Sequence, residues 1–101
     1  MIVAMALAAL MASAPNDQGD LAALRGIRLP HEVRDFIERR MGCNHWTTEA
    51  PYDRERAQQI AAAVRQLKCR SIAREERVLR GRHAHSPEVL HALTISRDFI
   101  Y

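Results

Sequence analysis

The sequence is short of large apolar side chains. Phe36, Trp46, Tyr52, Phe99 and Tyr101 are its only aromatic residues in 101 positions, so any core has to be built mainly from aliphatic groups. A chain of this size buries a modest fraction of its surface and often relies on a covalent or metal staple. Its length excludes two large domains, a membrane bundle and a cofactor fold that needs a long βαβ array. Lysine is nearly absent: Lys68 stands alone among 15 basic residues, the other 14 being arginine. Cysteine occurs only at positions 43 and 69. Strand-like alternation joined by hairpin turns is missing, as are internal repeats and low-complexity tracts. No Ser/His/Asp set, nucleophile elbow, phosphate loop or pair of catalytic carboxylates can be read. The sequence therefore points to no reaction and no cofactor.

Charge is missing from the first 16 residues, Asp17 being the first ionisable side chain. Met1 to Ala14 holds thirteen apolar residues and Ser13. That run is too short for a spanning helix, which needs about 20 apolar residues. It fits the apolar region of a secretory signal, and Ala12-Ser13-Ala14 has the small-x-small form of a cleavage site. No Lys or Arg precedes the run, and Pro15 follows the proposed cut directly. The alternative is an Ala/Leu/Met-rich amphipathic or buried helix of a cytosolic protein. The expectation is a signal peptide over 1–14, a linker over 15–28, one helical domain over 29–101, and no transmembrane span in the mature chain.

The helical signals begin at Pro30, whose missing N–H suits a first helical position. Glu32 and Asp35 place acid in the first turns and Arg39 and Arg40 place base in the last, as the macrodipole favours. Val33, Phe36, Ile37 and Met41 line one face and Gly42 supplies a stop, which predicts a helix over about 30–41. Cys43 to Pro51 has no apolar period and reads as a loop. A second helix starts near Tyr52, with Asp53 as its cap. Its stripe is Ala57, Ile60, Ala61, Val64, Leu67 and Cys69, and whether 53–80 is one helix or two joined near Cys69-Arg70-Ser71 stays open. In the second case Ser71 caps a segment with Ile72, Val78 and Leu79 as its stripe. Ser86-Pro87-Glu88 starts the last helix, with Val89, Leu90 and Leu93 on its buried side. The tail from Thr94 can fray, pack or pair. The fold class expected is all-α, a small bundle or hairpin of three to four helices.

Two cysteines in an exported chain read as one disulfide; in a cytosolic chain they read as free thiols or metal ligands. A Cys43–Cys69 bond would contribute about 3–4 kcal/mol in the chain-entropy account. As metal ligands they would join Cys43-x-His45 and His83-x-His85, a weak match to the usual structural-zinc spacing.

Residues 43–53, Cys-Asn-His-Trp-Thr-Thr-Glu-Ala-Pro-Tyr-Asp, resemble a block found in a group of small exported proteobacterial proteins. That group carries Cys-Asp/Asn-His-aromatic-x-Gly-Glu after a short basic-ended helix, matched here by Phe36-Ile37-Glu38-Arg39-Arg40. A second Cys follows, matched by Cys69, and then a leucine-spaced segment and a final helix, matched by Ile72, Leu79 and Val89-Leu90. The resemblance covers about residues 33–93. It departs at Thr48, where the group has Gly, and at His83, where an aromatic is usual; a turn needing positive φ at Thr48 would be strained or rebuilt. The resemblance implies export and a disulfide, and it implies no reaction. On spacing alone the chain is also similar to lysozyme-inhibitor-type periplasmic proteins.

His45, Trp46, Glu49 and Tyr52 are the candidate recognition residues of this block, with Trp46 as an anchor in a partner. A general acid/base pair of His45 with Glu49 is a further reading. The structural alternative has Trp46 packing over the disulfide while Glu49 or Asp53 caps the second helix. The second candidate surface is basic. Residues 64–85 carry seven basic side chains and only Glu75 and Glu76, and Arg70, Arg74 and Arg77 are the binding candidates within that run. Such a stripe binds phosphates or another anionic surface, or is a solvated helix face supported by spacings such as Glu75 to Arg80. The sequence leads to a disulfide-stabilised protein-interaction module of the inhibitor or immunity kind, periplasmic or secreted, with an unidentified protein partner. A cytosolic basic helical module that binds nucleic acid is the alternative.

Overall fold

The computed structural model describes residues 28–100. The expected signal peptide at 1–14 and nearly all of the expected linker lie outside the described residues. Among the described residues four helices follow one another: α1 (His31–Thr48), α2 (Arg54–Gln66), α3 (Ile72–Arg82) and α4 (Pro87–Ile95). Short 3-10 turns, Cys69–Ser71 and Ser96–Asp98, lead into α3 and out of α4. The all-α expectation holds, and among the described residues there is no strand.

The core lies between α1, α3, α4 and the tail. Val33, Phe36, Ile37, Met41 and Cys43 come from α1, Ile72 and Leu79 from α3, Val89, Ala92 and Leu93 from α4, and Phe99 closes the end. Leu90 is only half-buried, and Val78, expected on the buried stripe of α3, is half exposed. Helix α2 contains no buried residue. Its apolar stripe stays half exposed, so hydrophobic burial gives it little hold on the rest of the molecule.

That weakness is offset by two specific ties and a local cap. The Cys43–Cys69 disulfide joins α1 to the turn after α2 across a Cα–Cα distance of 5.6 Å. The Arg39 guanidinium donates to the Leu67 carbonyl at 3.0 Å and, more weakly, to the Lys68 carbonyl at 3.4 Å, which tethers α1 to the end of α2. At the other end of α2, Asp53 caps the helix by accepting from the Arg56 N–H at 2.8 Å, as its position implied.

Helix α1 corrects the sequence reading. It does not stop at Gly42, which is buried and has no positive φ, but runs on through the expected loop to Thr48. Local propensity there is poor, and tertiary contacts override it. Cys43 is held by the disulfide, and the Asn44 amide donates to the Phe99 carbonyl at 2.7 Å and the Arg97 carbonyl at 3.0 Å. Thr47 and Thr48 donate their hydroxyls back to the carbonyls of Cys43 and Asn44 at 2.7 and 2.9 Å. Thr48 is therefore helical, and its lack of a glycine's freedom creates no strain. The same Asn44 contacts settle the tail, which packs with Ser96 and Phe99 buried.

The 53–80 region is two helices. The break comes at Lys68, the one non-glycine residue with positive φ among those described (φ 55°). A left-handed conformation costs a side-chain-bearing residue about 1–2 kcal/mol. Lys68→Gly is thus expected to raise stability by about 0.5–1 kcal/mol, measured as a higher urea midpoint at unchanged slope. Ser71 precedes α3 without a side-chain cap; its hydroxyl lies 2.9 Å from the Lys68 carbonyl and 2.6 Å from the Glu75 carboxylate.

Candidate functional site

Two sets of arginines flank α3, one engaged by carboxylates and one turned outward. Arg39 and Arg40 were expected to complement the C-terminus of α1, but that helix continues nine residues past Arg39. They sit in mid-helix and face α3, where they meet Glu75 and Glu76. Arg39 makes a two-pronged pair with Glu75, both N–H to oxygen distances being 2.9 Å. Glu76, only 5% exposed, is surrounded by Arg40, Arg80 and Arg97. The i,i+4 pair on α3 is therefore Glu76 with Arg80, at 2.7 Å, and not a Glu75–Arg80 contact. Farther along the same seam Glu32 pairs with Arg82 and lies 2.8 Å from His83 Nε2.

These contacts hold the acids in their charged form. The Arg39 guanidinium, helped by the Ser71 hydroxyl, brings the Glu75 carboxyl down to about 2. Arg97, with Arg80 and Arg40, holds Glu76 well below the usual carboxylate range although burial pushes the other way. His83 and then Arg82 lower Glu32. An acid depressed in the native state adds stability that is complete above its unfolded value, near 4.5, and is lost as pH falls through the folded value. The melting temperature is expected to stay level above pH 4.5 and to fall steeply between pH 4.5 and about 2. A melting series across that range checks it; a flat profile would mean that the seam contributes nothing.

The second set faces outward. Arg70, Arg74 and Arg77 are exposed, as are Arg65 and Lys68 beside them, and none forms a salt bridge among the described residues, although the charge of Arg74 helps to lower Glu75. Spacings of four and three residues set Arg70, Arg74 and Arg77 along one side of α3 and the turn leading into it. Of the two acids that interrupt the run in sequence, Glu76 is buried, whereas Glu75 is turned to Arg39 with its side chain still 37% exposed. What remains outside is a predominantly basic face, with Glu75 at its edge.

The aromatic candidates form a separate group. His45, Trp46 and Glu49 lie at the end of α1, and Arg56, from the first turn of α2, joins them. The Arg56 guanidinium lies 5.0 Å from the centre of the Trp46 ring, within cation–π range. It also pairs with Glu49 at 3.3 Å. The His45 and Trp46 rings meet edge-on with centres 5.2 Å apart, and His45 Nε2 is 3.5 Å from the other Glu49 oxygen. That separation is beyond an ordinary hydrogen bond. Glu49 is thus a bridge between His45 and Arg56, and Asp53 is the cap of α2. Trp46 is half-buried against Arg56, whereas Tyr52 is 80% exposed and stands apart. Arg56 is the member that sequence reasoning missed; the only signal was its place three residues after the capping Asp53.

The disulfide links the two candidate surfaces, since Cys43 lies two residues before His45 and Cys69 directly before Arg70, with their Cα atoms 5.6 Å apart. The cysteines are bonded to each other, so the thiolates needed for the proposed Cys/His metal set are not available; His83 is engaged with Glu32. Among the described residues no group of three or more His, Cys, Asp or Glu could hold a metal ion. No described helix is long and apolar enough to cross a membrane. An open groove of about 360 Å³ lies between α1 and α3, lined by Phe36, Val78 and Leu79, by the exposed Asp35 and by the paired Arg39–Glu75 and Arg82–Glu32 side chains. No protein-family model, no curated protein and no solved structure matches the chain.

Proposed function

We propose that this chain is an exported protein-interaction module, periplasmic or secreted, whose helices serve as a rigid support for a charged docking face. The disulfide is the observation that carries the reading. Cys43 and Cys69 are bonded, and this bond secures the helix that has no buried residue. Disulfides with a structural task persist in oxidising compartments and are rare in the cytosol. The apolar run of Met1 to Ala14 supports the same compartment. Support for a binding role comes from the exposed cations on α3 and its leading turn, which form no salt bridge among the described residues, whereas the cations of the α1–α3 seam are engaged by carboxylates.

The intact mass of the native protein, taken from the producing cell under thiol-blocking conditions, tests the compartment. The expected result is a chain lacking its first 14 residues, lighter by two hydrogens and unlabelled by the blocking reagent. A full-length chain with both thiols labelled would overturn export and favour the nucleic-acid module.

A further inference from the structure

We infer that the face built by Lys68, Arg70, Arg74 and Arg77, with Arg65 at its edge, docks an acidic amphipathic helix of a protein partner. The inference rests on the interaction reading above and gives the docking face and the partner's chemistry. The cations are exposed and form no salt bridge among the described residues, Arg74 being the one whose charge acts on an acid, Glu75. Three of them repeat at helical spacing over about 10 Å of α3 and its leading turn. An acidic helix presents carboxylates at the same repeat, so the two rows match in register as well as in sign.

Residue chemistry narrows the choice. Arginine presents a planar fork suited to a carboxylate, and four of the five cations are arginine. Val78, four residues after Arg74 on α3, is 50% exposed and opens onto the α1–α3 groove. An apolar side chain of the partner has a place there, beside the ion pairs. A free phosphate polymer has no use for that contact. A lipid surface would call for several exposed apolar groups around the cations, and Val78 is the exposed large hydrophobic residue on this helix. Lys68 adds a second argument. It occupies a left-handed position that glycine would fill without strain, and it places a cation at the corner between Arg65 and Arg70. Strain retained at one exposed residue points to a role for its side chain.

The test uses the full oxidised chain and a labelled glutamate-rich helical peptide with one leucine on the acidic face, titrated by fluorescence anisotropy at about 150 mM salt. Binding is expected, and R70Q/R74Q/R77Q should weaken it by about tenfold or more. V78D should also weaken it, while R34Q, an exposed change on α1, should leave it unaltered. Equal affinity for the triple variant and the parent, or no binding by the parent, would overturn the inference. Tighter binding to duplex DNA or to phosphatidylglycerol vesicles than to the peptide under the same conditions would overturn it as well. The mass measurement above is independent of these titrations, so a failure of the export reading is separable from a failure of the docking face.

Discussion

Replacing Glu76 with glutamine is expected to lower the stability of the oxidised chain by about 3–5 kcal/mol. The reason is what remains. Glutamine keeps the size of the side chain, but Arg40, Arg80 and Arg97 would converge on a neutral amide in a site that is 5% exposed in the parent. Arg40 suffers most, because its side chain is only 11% exposed and it also lies over the Phe36 ring at 5.3 Å. A buried cation without its anion costs far more than the net gain from the intact pair, which is often small after desolvation. For a domain of this size the melting temperature should fall by about 15 °C or more. The account makes a second demand on the same site. Removing both charges, as in R40M/E76L, should cost less than the sum of R40M and E76L, because the two groups form one unit. Strict additivity would show that Arg40 and Glu76 do not depend on each other.

Cys69→Ser should cost about 3–4 kcal/mol under oxidising conditions, the loop-closure contribution of the bond. The change should not be uniform. Helix α2 has no buried residue, whereas α1, α3 and α4 share the core. Loss of the bond leaves α2 held by Arg39 at one end and by the Arg56 contacts with Trp46 and Glu49 at the other. Hydrogen exchange should therefore accelerate first in 54–66, before it accelerates in the core helices. Exchange that rises equally in all four helices would mean that α2 is integral to the core. A variant with the parent's melting curve would mean that the cysteines are not paired in solution.

How much of this was legible in the sequence depends on the range of the interactions. The starts of α2 and α4 were readable because Asp53 caps α2 and Pro87 and Glu88 open α4 within one turn of themselves, although Ser86 makes no side-chain cap. The aliphatic faces of α1 and α4 were readable by period for the same reason. The end of α1 was not, since Gly42 is a valid local stop signal and the contacts that override it come from Cys69, Arg97 and Phe99, far along the chain. Glu75 and Glu76 read as interruptions of a basic stripe. Their task became visible only when α1 placed Arg39 and Arg40 opposite them, 36 residues away in sequence. Of the candidate site, His45, Trp46 and Glu49 are brought together as neighbours on one helix end, while Arg56 comes from a different helix. Arg70, Arg74 and Arg77 were readable as a row, yet nothing local distinguished them from the arginines that hold the fold.

That distinction is the central claim: seam arginines hold the helices together, and the outer row on α3 is free for a partner. Thermal melting of two oxidised full-length variants, R40Q and R70Q/R74Q/R77Q, tests it most directly. The account predicts a large fall for the single seam change and, for the triple outer change, a melting temperature within a few degrees of the parent's, since surface substitutions shift stability by about 0.5 kcal/mol or less each. A triple variant that melts as early as R40Q would contradict the account, because the outer row would then be part of the scaffold.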